Sequence, residues 1–282
     1  MKEKTPASEW IYFNGQRMPS TETTIAHTDR GFLLGDGAFE TIRVIHSRPY
    51  LLPQHMKRLA DTLSQLSIRV NIEAISSQCY DLIAQCNAQD AMLRITVSRG
   101  SGGEGYLPMP EPSPSIVITC RTLDVSALPA QAARVMVSDW RKIPPQCLPT
   151  EGKTLQGMNA TLARMQAHDA GYDEALQLSI EGHIASVSSG NLFWREGNRI
   201  FTPSLRTGCL NGMMRQRIMT ISSQVIEEIE AAMEALEKAD AILYSNSRLL
   251  VRAVESVDKI GQYYAESTQW AKEWYDILKN DA

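Results

Sequence analysis

No apolar run in the 282-residue chain reaches the roughly 18 residues that a membrane-crossing helix needs. The opening stretch, Met1-Lys2-Glu3-Lys4-Thr5-Pro6, lacks the apolar centre of a secretory signal. Long basic runs are missing too. The 28 Lys and Arg stand against 32 Asp and Glu, a net charge of -4, so no nucleic-acid partner is expected. Cysteine is sparse: Cys79, Cys86, Cys120, Cys147 and Cys209 are odd in number and widely scattered. They read as reduced thiols of a cytoplasmic protein rather than a disulfide frame. Cys79 and Cys86 share a helical face, but no His or second Cys pair joins them, and no metal site is expected. Internal repeats and low-complexity segments are also absent. What remains is a globular composition, 43% hydrophobic, long enough for two modest domains or one large one.

The residue pattern mixes strands and helices. Trp10-Ile11-Tyr12-Phe13 runs into Asn14-Gly15, a hairpin signal. Phe39 to Ile45 alternates as a strand until Arg48-Pro49 breaks it. Pro53 opens a helix over 53–67 with a stripe of Met56, Leu59, Ala60, Leu63 and Leu66, and a second helix covers 73–87. Over 91–98, Leu93, Ile95 and Val97 point one way and Arg94, Thr96 and Ser98 the other. A loop rich in Gly and Pro, Arg99 to Pro114, precedes a strand over 115–121. The lapse into Ser, Ala and Pro near 125–131 predicts a linker, after which strands resume at Arg134. A helix is expected from just after Lys153 to Ala170, carrying Leu155, Met158, Leu162 and Met165. Short strands follow at 174–179, 183–188 and 192–195, then a helix over 213–231, a strand over 241–244 and a last helix over 266–278. The sum is an α+β chain of two domains, 1–124 and 134–282, joined by a linker at 125–133.

Some residues suggest chemistry on their own terms. Lys153, between Gly152 and Thr154, becomes a nucleophile near neutral pH only if it is desolvated; a solvated charge is the bland alternative. Gly208-Cys209-Leu210-Asn211-Gly212-Met213-Met214 opens a helix, and backbone N–H groups at a helix start seat phosphate; a plain glycine turn is the alternative. Ser245-Asn246-Ser247 ends a strand with small polar groups suited to an anion or to ordinary loop bonding.

In order along the chain stand Asp29-Arg30-Gly31, then Gly35-Asp36-Gly37-Ala38-Phe39-Glu40-Thr41-Ile42-Arg43, then His55-Met56-Lys57-Arg58-Leu59. Lys153-Thr154-Leu155, Gly171-Tyr172-Asp173-Glu174-Ala175-Leu176 and Ser189-Gly190-Asn191-Leu192-Phe193 follow. Thr202-Pro203 and Gly208 to Arg215 complete the series. With this ordered set, from about Tyr12 to Val254, the chain resembles the class IV aminotransferases, the fold type IV pyridoxal-phosphate enzymes. The resemblance implies a two-domain fold like that of D-amino acid aminotransferase, a small-molecule substrate and a homodimer. It implies pyridoxal 5'-phosphate held on Lys153 of the C-terminal domain, with Lys153 as acid–base. Arg58, the N–H groups of Met213 and Met214, and Asn246 would bind the phosphate, and Leu210 would pack on the pyridine ring. Phe39, Arg94, Tyr106 and Ser247 would line the substrate's place.

Branched-chain aminotransferase, D-amino acid aminotransferase and aminodeoxychorismate lyase share this fold. The Gly-rich stretch from Ser98 to Tyr106, with Asn191-Leu192-Phe193-Trp194-Arg195 and Ser245-Asn246-Ser247, resembles the lyases, which serve folate biosynthesis. The Arg and His trap of the D-amino acid enzymes is replaced here by Glu104 and Tyr106. Two departures stand out. Glu104 replaces an Arg typical of the lyases, and faces either the substrate or solvent. Ser186 stands in the strand after the Glu181-Gly182 turn, where the family places the Glu that keeps the pyridine nitrogen protonated. A neutral hydroxyl there makes a weaker electron sink, which disfavours transamination more than elimination. The expected activity is conversion of 4-amino-4-deoxychorismate to 4-aminobenzoate and pyruvate. An aminotransferase acting on a branched-chain, D-amino acid or amine substrate, and a catalytically impaired binding protein, are the alternatives.

Overall fold

The computed structural model describes residues 10–128, 131–149 and 151–282, so the reading of Met1 to Pro6 lies outside the described residues, as do positions 129 and 130 of the expected linker. The chain forms two compact units: one of the chain up to Ala127 with Gly152–Gln156 and Ala282, the other of Leu128–Glu151 and Gly157–Asp281.

The first unit opens with the hairpin β1 (Trp10–Phe13) and β2 (Gln16–Pro19). Asn14 and Gly15 turn it with φ of 49° and 84°, which Asn and Gly tolerate best. Then come α1 (Arg30–Leu34), β3 (Gly37–Ile45), β4 (Arg48–Pro49), α2 (Leu52–Gln65), α3 (Ile72–Cys86), β5 (Ala91–Ser98) and β6 (Ser115–Thr122). The strands pair antiparallel in the order β2-β1-β6-β5-β3-β4. Ile42, Leu93, Ile95 and Ile118 point to one face, where they pack with Met56, Leu59 and Leu63 of α2 and Ile75, Cys79 and Leu82 of α3. Each such aliphatic side chain contributes about 1.5–3 kcal/mol by leaving water. The opposite face carries Phe39, Thr41, Arg94, Thr96, Thr119 and Arg121, by strand alternation and register.

The second unit holds β7 (Ala133–Val137), α4 (Met158–Asp169), β8 (Glu174–Leu178), β9 (Ile184–Val187), β10 (Asn191–Glu196), β11 (Arg199–Pro203), α5 (Met213–Ile221) and β12 (Ile226–Ile229). α6 (Glu234–Glu237), β13 (Ala241–Asn246), β14 (Leu250–Val257), β15 (Gly261–Gln262) and α7 (Tyr264–Asn280) complete it. Its sheet runs β12-β11-β10-β13-β14-β7-β8-β9, with β15 on β14. Leu176, Leu178, Ile184, Val187, Leu192, Trp194, Ile242 and Tyr244 build its core on one face. Alternation therefore turns Gln177, Ser186 and Ser245 to the other face, and Gln177 pairs directly with Ser186.

Several expectations are corrected. The strand does break after Ile45, as expected, but Arg48-Pro49 then folds back onto it as β4, an edge strand where proline's missing donor costs nothing. The helix after Lys153 starts only at Met158. Residues 153–155 are instead extended, and their backbone bonds go to β3, which is why this segment clusters with the first unit and not with the C-terminal part. Met158 and Met165 are exposed, and α4 buries Ala163 and Ala167. The helix expected over 213–231 ends at Ile221, and Ile226–Ile229 pair parallel with β11. Ser222-Ser223 interrupts the helical pattern, and the Ile226 and Ile229 side chains suit a sheet.

Candidate active site

Lys153 is placed by backbone bonds before its side chain matters. Phe39 N donates to Lys153 O at 2.9 Å, and Leu155 N donates to Gly37 O at 2.9 Å, so the segment pairs alongside the start of β3. Gly152 lets it approach α2: a Cβ there would stand 2.7 Å from Thr62 Cγ2. The result sets Lys153 Nζ 4.3 Å from the centroid of the Phe39 ring, with the Arg94 guanidinium carbon 4.1 Å from the same centroid. Arg94 faces away from the core, as its strand position predicts, and its Nε donates to Thr96 Oγ1 at 3.3 Å. Burial is the main cause that pushes the Lys153 amine down to about 8 from 10.5; Arg58 and Arg94 add to the fall, and Glu40 opposes it. Such an amine is neutral in about one molecule in ten at pH 7, against fewer than about one in a thousand for an ordinary lysine, and a nucleophile or proton carrier requires that neutral form.

A buried network lies behind it, and sequence reasoning assigned it no role. Glu40 is 1% exposed. Arg58 Nε and Nη2 donate to its two carboxylate oxygens at 2.7 Å each. His55 Nδ1 lies 2.6 Å from Glu40 Oε2. Burial alone would raise the Glu40 pKa, but the bonds from His55 and Arg58 outweigh it and hold the carboxyl at about 2. Burial lowers the His55 pKa against the pull of Glu40, so the neutral ring donates from Nδ1. Arg58, read as a phosphate ligand, is thus oriented by Glu40 and buried midway along α2. The signal was in the motif strings, since Glu40, His55 and Arg58 all lie within them, but only the fold brings a strand residue onto two helix residues one turn apart.

Tyr106 does not join this cluster. Its side chain is 89% exposed, and its carbonyl, with that of Gly105, is held by Arg30 at 3.1 and 2.9 Å. Glu104 also lies exposed, in a tight turn bonded through its backbone to Leu107, so it does not present a carboxylate to Lys153. Arg30 and Arg99 both bind Asp36, tying the base of this loop to the turn before β3.

In the second unit, α5 begins at Met213 with Gly212 as its N-cap and no side-chain cap, leaving the first N–H groups of Met213 and Met214 for an anion. Gly212 leaves room for the Asn191 amide: a Cβ there would stand 2.2 Å from Asn191 Oδ1 and displace it. Asn191, a residue sequence reading left without a role, fastens this turn by donating from Nδ2 to Leu210 O at 2.7 Å. Asn246 uses its side-chain oxygen to accept the N–H groups of Arg248 and Leu249 at 3.0 and 2.8 Å, closing the turn after β13. Ser247 lies half-buried in that turn. Ser186 is 2% exposed, and its hydroxyl finds no hydrogen-bond partner among the described residues; the same holds for Gln177 Oε1 and Ser245 Oγ. Buried polar atoms without partners are rare and call for a ligand or water. Glu181 is exposed at the hairpin turn. The buried carboxylate of Glu174 is already taken by the hydroxyls of Ser188 and Ser189 and by Arg164.

Unit by unit, these residues fit pyridoxal phosphate: a depressed lysine amine and an oriented arginine in one, an uncapped helix start and unpartnered hydroxyls in the other. Among the described residues no group of three or more His, Cys, Asp or Glu is arranged to hold a metal, and no helix is long and apolar enough to cross a membrane.

Comparison with known proteins agrees. The family described as amino-transferase class IV matches residues 37–257. The aminodeoxychorismate lyase of Bacillus subtilis is 28% identical over 271 residues, 92% of this chain and 90% of that protein. A putative branched-chain-amino-acid aminotransferase of Methanocaldococcus jannaschii is 29% identical over 246 residues, 86% and 83% of the two chains. In fold, the chain superposes on the branched-chain amino acid aminotransferase of Escherichia coli with a TM-score of 0.89 at 24% identity, covering 98% of this chain and 96% of that one.

Proposed function

The chain belongs to the class IV aminotransferase family, whose enzymes use pyridoxal phosphate, and from that premise we propose that it converts 4-amino-4-deoxychorismate to 4-aminobenzoate and pyruvate. The cofactor, when bound, supplies an electron sink beside the carbon that bears the substrate's amino group. Lys153 holds it covalently and, once released, carries the proton at Nζ. Arg58, the N–H groups of Met213 and Met214, and the side-chain amide of Asn246 hold the phosphate. Leu210 packs on the ring, and Ser186 faces the ring nitrogen. Phe39 and Arg94 orient the substrate beside Lys153. Tyr106 and Ser247 keep proposed places at the substrate, Tyr106 from a loop that covers the neighbouring subunit's pocket in the proposed homodimer.

In this reaction Lys153 takes the proton from C4, the C3–O bond breaks, and the enolpyruvyl group departs and is protonated to pyruvate. The ring is left aromatic, with its amino group retained. A charge that passes directly into a departing group asks little of the electron sink. That is why the lyase reading rests on Ser186, a buried, unpartnered hydroxyl, at the place where the resemblance implies a glutamate. A neutral hydroxyl cannot keep a ring nitrogen protonated as a carboxylate does.

The second reading, an aminotransferase, is supported by the branched-chain relatives. One assay separates the two. Purified protein is given 4-amino-4-deoxychorismate, with 4-aminobenzoate and pyruvate followed, and separately branched-chain amino acids with 2-oxoglutarate. Release of both lyase products in equal amounts, faster than any transamination, supports the proposal; rapid transamination without 4-aminobenzoate replaces it with the second reading. A homodimer is part of the same reading, supported by Phe32, Leu33, Tyr106 and Leu107, which are 58–89% exposed on the first unit.

A further inference from the structure

We infer that Lys142 is a further residue of the cofactor site: its amine closes the pocket beside Ser186 and Gln177 and holds the pyridine nitrogen in its unprotonated form. The inference rests on the reading that sets Ser186 opposite that nitrogen, and it assigns the charged group that acts there with it.

Two backbone features fix where Lys142 stands. Its N–H donates to Leu178 O at 2.8 Å, which holds the loop after β7 against the end of β8. Gly208 lies on the other side: a Cβ there would stand 2.4 Å from Ile143 O and 3.3 Å from Lys142 Cγ. With a φ of 84°, Gly208 turns the chain into the segment that carries Leu210. The lysine stem is therefore bracketed by the strand that bears Gln177 and the turn that leads to Leu210. Gln177 draws the same loop over its face of the sheet, donating from Nε2 to Trp140 O and Asn159 O at 3.2 and 3.3 Å. On that face Gln177 is the register partner of Ser186.

The polar groups of this corner are not satisfied within the chain. Gln177 Oε1 and Ser186 Oγ are buried without partners among the described residues. The Lys142 amine makes no hydrogen bond or ion pair among the described residues either. Its side chain keeps some accessible surface, yet enough protein surrounds it that burial pushes the amine below its ordinary value. The acids near it leave it uncompensated: Glu174 is bound by Ser188, Ser189 and Arg164, and burial keeps the Cys209 thiol protonated. A desolvated cation without a counter-ion is costly, and such groups gather at functional sites. An ammonium on a flexible stem has three donors, and Gln177 Oε1 and the Ser186 oxygen are acceptors for two of them. The Ser186 proton is then free for the lone pair of the ring nitrogen. A positive charge at this place repels a proton on that nitrogen, where a carboxylate would attract one. The ring becomes a weak electron sink, suited to chemistry in which a leaving group takes the charge.

The test uses the holoenzyme loaded with pyridoxal phosphate whose ring nitrogen is isotopically labelled, so that its magnetic resonance separates the protonated from the unprotonated form. Wild type is expected to show the unprotonated form at pH 7. In Lys142→Gln and Lys142→Met the midpoint for protonation of the ring nitrogen should rise by at least about one pH unit, and Lys142→Arg, which keeps the charge, should stay near wild type. A second readout needs no variant: trace acetylation of lysines, followed by mass spectrometry, should label Lys142 several-fold more slowly in the loaded protein than in the cofactor-free one. An unshifted midpoint in Lys142→Gln and Lys142→Met, or equal labelling of Lys142 in the two states, overturns the inference while the reading of Ser186 stands. A ring nitrogen already protonated in wild type at pH 7 overturns both.

Discussion

The amine of Lys153 and the guanidinium of Arg94 share one aromatic ring, lying 4.3 Å and 4.1 Å from the Phe39 centroid. The burial of the lysine and their mutual repulsion both favour the neutral amine, the form that the proposed attack and proton transfer require.

That arrangement has a cost in stability with a definite pH window. The folded-state value near 8 lies below the ordinary 10.5. Between those values the unfolded chain binds more protons than the folded one, so folding stability rises with pH there. Below the lower value both states are protonated, and the folded state bears the full cost of a buried charge. In cofactor-free protein, Lys153→Met should therefore raise the urea midpoint at pH 7 and raise it much less at pH 10. Equal gains at both pH values would show that the amine is not desolvated.

Glu40 is expected to matter more for Arg58 than for itself. In Glu40→Gln the buried Arg58 loses its carboxylate partner, at a cost of about 3–5 kcal/mol. Because Glu40 titrates at about 2 rather than 4.5, its contribution is present above pH 4.5 and fades as pH falls toward 2. Urea unfolding of wild type and Glu40→Gln at pH 7 measures the loss. Cofactor retention on dialysis should fall in the variant as Arg58 loses its orientation; unchanged stability and retention would remove Glu40 from the account.

Ser186→Glu would place a carboxylate where an unpartnered hydroxyl now stands, the group that the proposed reading sets opposite the ring nitrogen. Transamination of simple amino acids should rise more than elimination does, and each tenfold change corresponds to about 1.4 kcal/mol of barrier. Both rates are measured in both proteins. If the wild type already transaminates as fast as it eliminates and the substitution changes neither, Ser186 does not govern the ring nitrogen.

Much of the fold was legible where local chemistry decides. Asn14-Gly15 announced its hairpin, the stripe from Met56 to Leu63 announced α2, and the alternation of β5 put Arg94 on the face opposite Leu93. The reading failed where tertiary pairing overrides pattern. Lys153 to Leu155 read as the approach to a helix, yet their backbone groups are claimed by β3. Val225 to Ile229 continued a helical run on paper, but β11 supplied a partner. β11 and β14 went unplaced altogether; β14 opens at Leu250 with a φ of 62°, which no residue type announces. In the site, Lys153 and Arg58 came from ordered motifs, whereas the joining of Glu40 to residues 15 and 18 positions away is visible only in three dimensions. Asn191 was hidden for the same reason, since the turn it fastens lies 19 residues on.

The account stands on Lys153 as the residue that carries the cofactor. The most direct measurement is reduction of the cofactor-loaded protein with borohydride, followed by proteolysis and mass spectrometry of the peptides. The phosphopyridoxyl mass should sit on the peptide containing Lys153 and be lost in Lys153→Ala, while Lys142, another lysine whose pKa burial lowers, stays unmodified. A label on Lys142 or any other lysine, or none with cofactor in excess, would contradict the account.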